Sequence, residues 1–207
     1  MMLRSNLFPT SFRTLARSNI WVICLMTCLC RLTITLRAES TDASAKLGGI
    51  RRIVFLGDSI THSGQYIEYV EAYYASRFPT QHIEFLNLGL PSETVSGLTE
   101  DGHAGGKFPR PELRERLERV LAKTKPELVI ACYGMNDGIY LPFNEERFQK
   151  FKDGILELRE KVKATGAKIM HVTPPVFDEV KGGHAGYSAA LDRYSDWLLE
   201  QRPPHWD

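Results

Sequence analysis

Four short apolar runs, each separated from the next by segments of a different period, constrain this chain most. They are Ile53-Val54-Phe55-Leu56, Ile83-Glu84-Phe85-Leu86, Leu128-Val129-Ile130-Ala131 and Lys168-Ile169-Met170-His171-Val172. All are rich in β-branched or aromatic residues and short enough to be strands. Between them the spacing becomes helical: Leu113, Leu117, Val120 and Leu121 share one face, as do Phe148, Phe151, Ile155, Leu158 and Val162. A further amphipathic segment spans about Gln65 to Arg77, and another spans Tyr187 to Gln201 with Leu191, Tyr194 and Leu198 on one face. Asn144 is placed to cap the Phe148 helix, Phe143 and Phe148 to staple its start, and Gly166 to end it. Strand and helix in repetition, with near-continuously apolar strands, predict an α/β fold: a parallel sheet covered by helices on both faces.

The charge balance looks neutral, with 26 Lys+Arg against 25 Asp+Glu in 207 residues. Residues 1–38, however, hold five arginines and no acid, which leaves 21 basic and 25 acidic groups elsewhere. A body of net charge −4 argues against nucleic acid as a partner. An Arg-bearing start and the apolar run from Ile20 to Cys30, ended by Arg31, read as an export signal closing near Ala38. The expected division is a signal peptide over 1–38, a lead-in over 39–50 and one domain over 51–207, exported to a periplasm or the exterior. An uncleaved anchor helix is the alternative, and membrane contact is expected only through it; Cys28 faintly suggests lipid attachment. Three of the four cysteines, Cys24, Cys28 and Cys30, fall in this leader. Cys132 stays in the body, inside an apolar run that suits a buried small hydrophobe better than a nucleophile.

In open parallel sheets, ligands bind beyond the carboxyl ends of the strands. Those tips read Gly57-Asp58-Ser59, Asn87-Leu88-Gly89, Gly134-Met135-Asn136-Asp137 and Thr173-Pro174-Pro175. Gly57 lets the backbone turn, Asp58 can brace the turn, and Ser59 then points into the crevice, although the same tripeptide could simply cap a helix. Gly89, lacking a Cβ, can bring a backbone N–H close to a substrate oxygen, and Asn136 offers an amide donor at the same edge. A turn glycine and an Asx-turn are the plainer readings of these two. Donors converging near a serine are what acyl transfer requires, because its tetrahedral intermediate places a negative oxygen beside the nucleophile.

Gly57-Asp58-Ser59-Ile60-Thr61, Asn87-Leu88-Gly89 and Gly134-Met135-Asn136-Asp137, in this order and at strand tips, resemble the first three blocks of the GDSL-type, or SGNH, serine hydrolases. The resemblance covers most of residues 51–200. It implies a flavodoxin-like three-layer α/β/α sandwich and hydrolysis of small acyl esters, acetyl groups on carbohydrates included, through an acyl-Ser59 intermediate. It also implies an oxyanion hole built from the N–H groups of Ser59 and Gly89 and the Asn136 side chain. The expected partner is a small-molecule or carbohydrate ester.

The family's fourth block, an Asp-x-x-His that supplies the general base, has no counterpart. The histidines are His62, His82, His103, His171, His184 and His205, and His205 has Arg202 three places earlier. The last strand and helix of the fold are therefore expected to be missing and the chain to be nearly inactive. A non-catalytic carbohydrate-binding relative is the alternative from another class, and a flavodoxin-like cofactor binder is a third. Cofactor and metal are expected to be absent: no cluster has structural-zinc spacing, and Gly105-Gly106-Lys107 lacks the rest of a phosphate loop.

Overall fold

The computed structural model describes residues 49–202. The leader expected over 1–38 and His205 lie outside the described residues. β1 (Arg52–Gly57), β2 (Glu84–Asn87), β3 (Leu128–Cys132) and β4 (Lys168–Val172) form one parallel sheet in the order β2-β1-β3-β4. All four lie on the apolar runs; the central strands β1 and β3 are buried on both faces and so need apolar side chains at nearly every position, whereas the edge strands β2 and β4 are only partly covered. Val54, Phe55, Leu56 and Val129 are completely buried.

The helices are α1 (Ser59–Ser63), α2 (Gln65–Arg77), α3 (Leu117–Thr124), α4 (Glu145–Ala164), α5 (Glu179–Gly182) and α6 (Tyr187–Glu200). Alternate residues of the sheet, Val54, Leu56, Val129, Ala131 and Ile169, share one core with α3, α4 and α6. There the Phe151 ring stacks on Tyr194 with centroids 4.5 Å apart. Phe55 points to the other face and meets Tyr66 of α2 edge-on at 5.9 Å. Helices therefore cover both faces, giving three layers. No helix among the described residues is long and apolar enough to cross a membrane.

α4 starts as its sequence predicts. The Asn144 side chain accepts from the Arg147 N–H at 3.0 Å, and Phe143 packs on Phe148. Inside α4, Gly154 touches a neighbouring loop so closely that a Cβ there would lie 2.1 Å from the Val95 carbonyl oxygen. The face carrying Leu113 to Leu121 is not one helix: a 3-10 turn at Leu113–Glu115 precedes α3. A parallel bridge from Thr94 to Glu112 holds the chain extended just before that turn.

The register sets where the tips lie. Gly57 pairs with Cys132 and Cys132 with Val172, while the Leu90 N–H donates to the Gly57 carbonyl at 2.9 Å. The residues that follow all four strands consequently emerge along one edge of the sheet.

Candidate active site

At the β1 tip, the Asp58 side chain accepts from the Ile60 N–H at 2.9 Å and caps α1. Ser59 becomes the first residue of that helix, and its side chain is exposed. Asp58 itself is 1% exposed. Burial pushes its carboxyl up to about 6, against the stabilising Ile60 N–H, with the neighbouring Asp137 and Glu93 charges adding to the rise.

At the β3 tip the Asp137 carboxylate, wholly buried, accepts from the N–H groups of Gly134 (2.9 Å), Val95 (2.9 Å) and Ser96 (2.8 Å). It ties the β3 tip to the loop after β2. Burial pushes its carboxyl upward, and the N–H bonds oppose that rise. Beside it Asn136 is also buried; its Nδ2 donates to Asp58 Oδ2 and to the Glu93 carbonyl, each at 3.3 Å. Asn136 Oδ1 accepts from the Tyr140 hydroxyl at 3.1 Å. Residues 78 positions apart in the chain are thus joined next to Ser59.

The β2 tip is arranged differently from the expectation. A Cβ on Gly89 would fall 2.3 Å from the His62 nitrogen, so the glycine is required by the close approach of α1. Its N–H donates to Asn87 Oδ1 at 3.0 Å, and Asn87 Nδ2 donates to the carbonyls of Thr61 (2.8 Å) and His62 (3.3 Å). The next turn, Leu90-Pro91-Ser92-Glu93, closes with the Glu93 N–H on the Leu90 carbonyl at 3.1 Å. Ser92 takes a φ of +68°, a left-handed conformation at the position where a type II turn calls for glycine. Its N–H donates to no described residue. Glu93, fully buried, accepts from Arg116 Nε (2.5 Å), Arg116 Nη2 (2.7 Å) and the Tyr133 hydroxyl (2.6 Å).

Among the described residues, no histidine is hydrogen-bonded to Ser59. His62 Nδ1 lies 3.2 Å from the Gly89 carbonyl oxygen. His103 faces Glu100 at 3.5 Å, and Glu100 is held bidentately by Arg110. His184 packs on the Tyr140 ring. His171 is held neutral, its imidazole pushed down to about 3 by burial and then by the Arg159 charge. Burial drives the Cys132 thiol up to about 12, which leaves it inert. No group of three or more metal-ligating side chains occurs among the described residues.

The model of the GDSL-like Lipase/Acylhydrolase family matches residues 55–202, which is most of the chain. The chain belongs to this family. No curated protein matches it. Among solved structures it is similar to an acetyl xylan esterase from Geobacillus stearothermophilus, at 22% identity over 73% of this chain and 71% of that one, with a TM-score of 0.54. It is also similar to a gut microbial diltiazem-metabolizing enzyme, BT4096, at 22% identity over 75% of this chain and 35% of that one, with a TM-score of 0.59. TesA matches at 21% identity over 73% of this chain and 74% of that one, with a TM-score of 0.50. At such identities these likenesses establish the fold.

Within the GDSL-like fold, Asp58 braces its turn as the sequence suggests, but sequence reading missed the polar layer in which the buried Glu93, Tyr133 and Asp137 meet the half-buried Arg116. Glu93 and Arg116 sit in stretches whose polarity suggests a solvated surface. The Pro91-Ser92 pair carried one usable signal, since proline favours the second place of a type I or type II turn, and the latter makes the next residue left-handed.

Proposed function

We propose that this chain is an exported GDSL-type hydrolase that attacks small acyl esters, acetyl groups on carbohydrates among them, through the Ser59 hydroxyl. One observation carries the reading: the Asn136 amide is brought from the β3 tip to within 3.3 Å of the Asp58 carboxylate, immediately before an exposed serine. A nucleophile beside a preorganised amide donor is the arrangement that lowers the barrier to a tetrahedral intermediate. The first N–H of a helix has no intrahelical acceptor, so the Ser59 N–H is available as a second donor. For the third donor we assign the Ser92 N–H, because the Gly89 N–H is already bonded to Asn87. The acetyl xylan esterases among the structural neighbours favour an acetylated sugar as the substrate class.

The described residues supply no base oriented on Ser59. A hydroxyl without one stays protonated and weakly nucleophilic, so acylation by these residues alone is slow. Export rests on the arginine-bearing, acid-free segment 1–38 and its apolar run. The intact mass of the exported protein tests it, with a start near Glu39 expected.

The function is tested with a panel of p-nitrophenyl esters and acetylated xylooligosaccharides, wild type beside Ser59→Ala. Turnover of acetyl esters that vanishes in the variant supports the reading. Turnover equal in the two proteins removes Ser59 from the role. Binding of the oligosaccharide with neither turnover of any ester nor acylation of Ser59 would favour a carbohydrate-binding protein instead.

A further inference from the structure

Tyr140 stands out among the residues around Asn136. It lies in a loop where two successive non-glycine residues, Ile139 at φ +50° and Tyr140 at φ +57°, adopt the left-handed conformation. Each such residue is strained, and strain of this kind persists only where the surroundings over-determine it. Here the surroundings are explicit. The Tyr140 ring packs against Tyr187 and His184, both with centroids 5.0 Å away, and edge-on against Phe177 at 5.8 Å. The Arg110 guanidinium lies over it at 5.5 Å. Arg110 is itself immobilised by two bonds of 2.6 Å to Glu100. A strained backbone and a ring clamped by four side chains fix one outcome: the hydroxyl points at Asn136 Oδ1, 3.1 Å away.

From this geometry we propose that Tyr140 is a positioning residue for the Asn136 amide. The proposal rests on the esterase reading of Ser59 and Asn136. A side-chain amide has an acceptor end and a donor end, and only the donor end can stabilise an oxyanion. Tyr140 is the only described residue that donates to Oδ1, while Asp58 Oδ2 and the Glu93 carbonyl accept from Nδ2. The amide is therefore held at both ends, one N–H directed to the Asp58 carboxylate beside the Ser59 turn and the other to the Glu93 carbonyl. Donation into Oδ1 also draws electron density from the nitrogen and strengthens its N–H groups as donors. Loss of the hydroxyl leaves the buried Oδ1 without a partner and lets the amide rotate. Its carbonyl can then face the developing negative charge.

The test uses a fluorophosphonate, whose attack by serine places negative charge on a phosphoryl oxygen as ester attack does on a carbonyl oxygen. Wild type, Tyr140→Phe, Asn136→Ala and Ser59→Ala are compared for limiting inactivation rate and half-saturating concentration. Tyr140→Phe is expected to lower the limiting rate by about tenfold, short of the 10²–10³-fold typical for loss of a whole oxyanion donor. The half-saturating concentration stays unchanged, because the ring and its clamp remain, while the melting temperature falls by a few degrees, because the buried Oδ1 loses its donor. In an NMR spectrum the Asn136 side-chain amide pair, assigned by its absence from Asn136→Ala, should shift and exchange faster with solvent in Tyr140→Phe. A Tyr140→Phe protein with wild-type limiting rate and an unmoved Asn136 amide overturns the proposal while Asn136→Ala remains slow. A rise only in the half-saturating concentration also overturns it, since that reports ground-state binding. Labelling that persists in Ser59→Ala overturns the parent reading, and the inference falls with it.

Discussion

The middle of the sheet and the layer just beyond its carboxyl edge are equally dry and are held by opposite means. Val54, Phe55, Leu56 and Val129 are buried by packing alone, whereas Asp58, Glu93, Asn136 and Asp137 are buried through hydrogen bonds that occupy their oxygens. Apolar packing is a sum of many small, nondirectional contacts, so it tolerates a changed shape. The polar layer is directional, and removing one partner strands the others. Placing it at the strand tips fixes Asn136, Ser92 and the Ser59 turn relative to one another.

Predictions follow from that contrast in order of size. Glu93→Ala should be the most damaging, at roughly 3–5 kcal/mol, because it leaves the half-buried Arg116 guanidinium with only the Leu88 carbonyl and the buried Tyr133 hydroxyl without an acceptor. Urea denaturation measures it, and a loss under about 1 kcal/mol would show that the layer is softer than its bonds suggest. Leu56→Ala, in the packed middle, should lose about 3 kcal/mol and Leu56→Met under about 1.5 kcal/mol. A conservative swap at Leu56 as harmful as Glu93→Ala would erase the distinction between the two regions.

The third prediction concerns pH. The Asp58 carboxyl titrates near 6 in the folded protein, above the ordinary carboxylate range of the unfolded chain. The folded state therefore binds the extra proton, and stability declines as pH rises from about 4 to 6, by on the order of 2 kcal/mol. Asp58→Asn should flatten that part of the melting-temperature profile; a slope of the same size in the variant would assign it to another group. The smallest effect expected is from Ser92→Gly. Relief of the left-handed serine is partly offset by greater freedom of the unfolded chain, for a net gain of up to about 1 kcal/mol. Calorimetry resolves it.

The two regions also differ in how much of them the sequence discloses. All four strands lie on the apolar runs, and the helix expected over Gln65 to Arg77 has those bounds. Periodicity reports burial directly where burial is apolar. At the tips, the positions of Ser59 and Asn136 were legible because a glycine and polar residues come soon after an apolar run. Glu93, Arg116 and Asp137 were not, since a charged residue in a polar stretch looks the same whether it faces water or a buried partner 23 or 42 positions away. Gly89 carries a related ambiguity. A missing Cβ makes room for whatever approaches, and here that is the backbone of α1 rather than a substrate.

The central claim is that Ser59 forms the acyl intermediate. It is tested most directly by mixing the protein with p-nitrophenyl acetate, quenching in acid and mapping the adduct by peptide mass spectrometry. An acetyl group on the peptide containing Ser59, absent from Ser59→Ala and formed roughly 10²–10³-fold more slowly in Asn136→Ala, is the predicted result. The adduct should also accumulate, because among the described residues no base is placed to activate water for its release. Ester turnover with no acetyl group on Ser59, or an adduct formed equally fast in Asn136→Ala, would contradict the account.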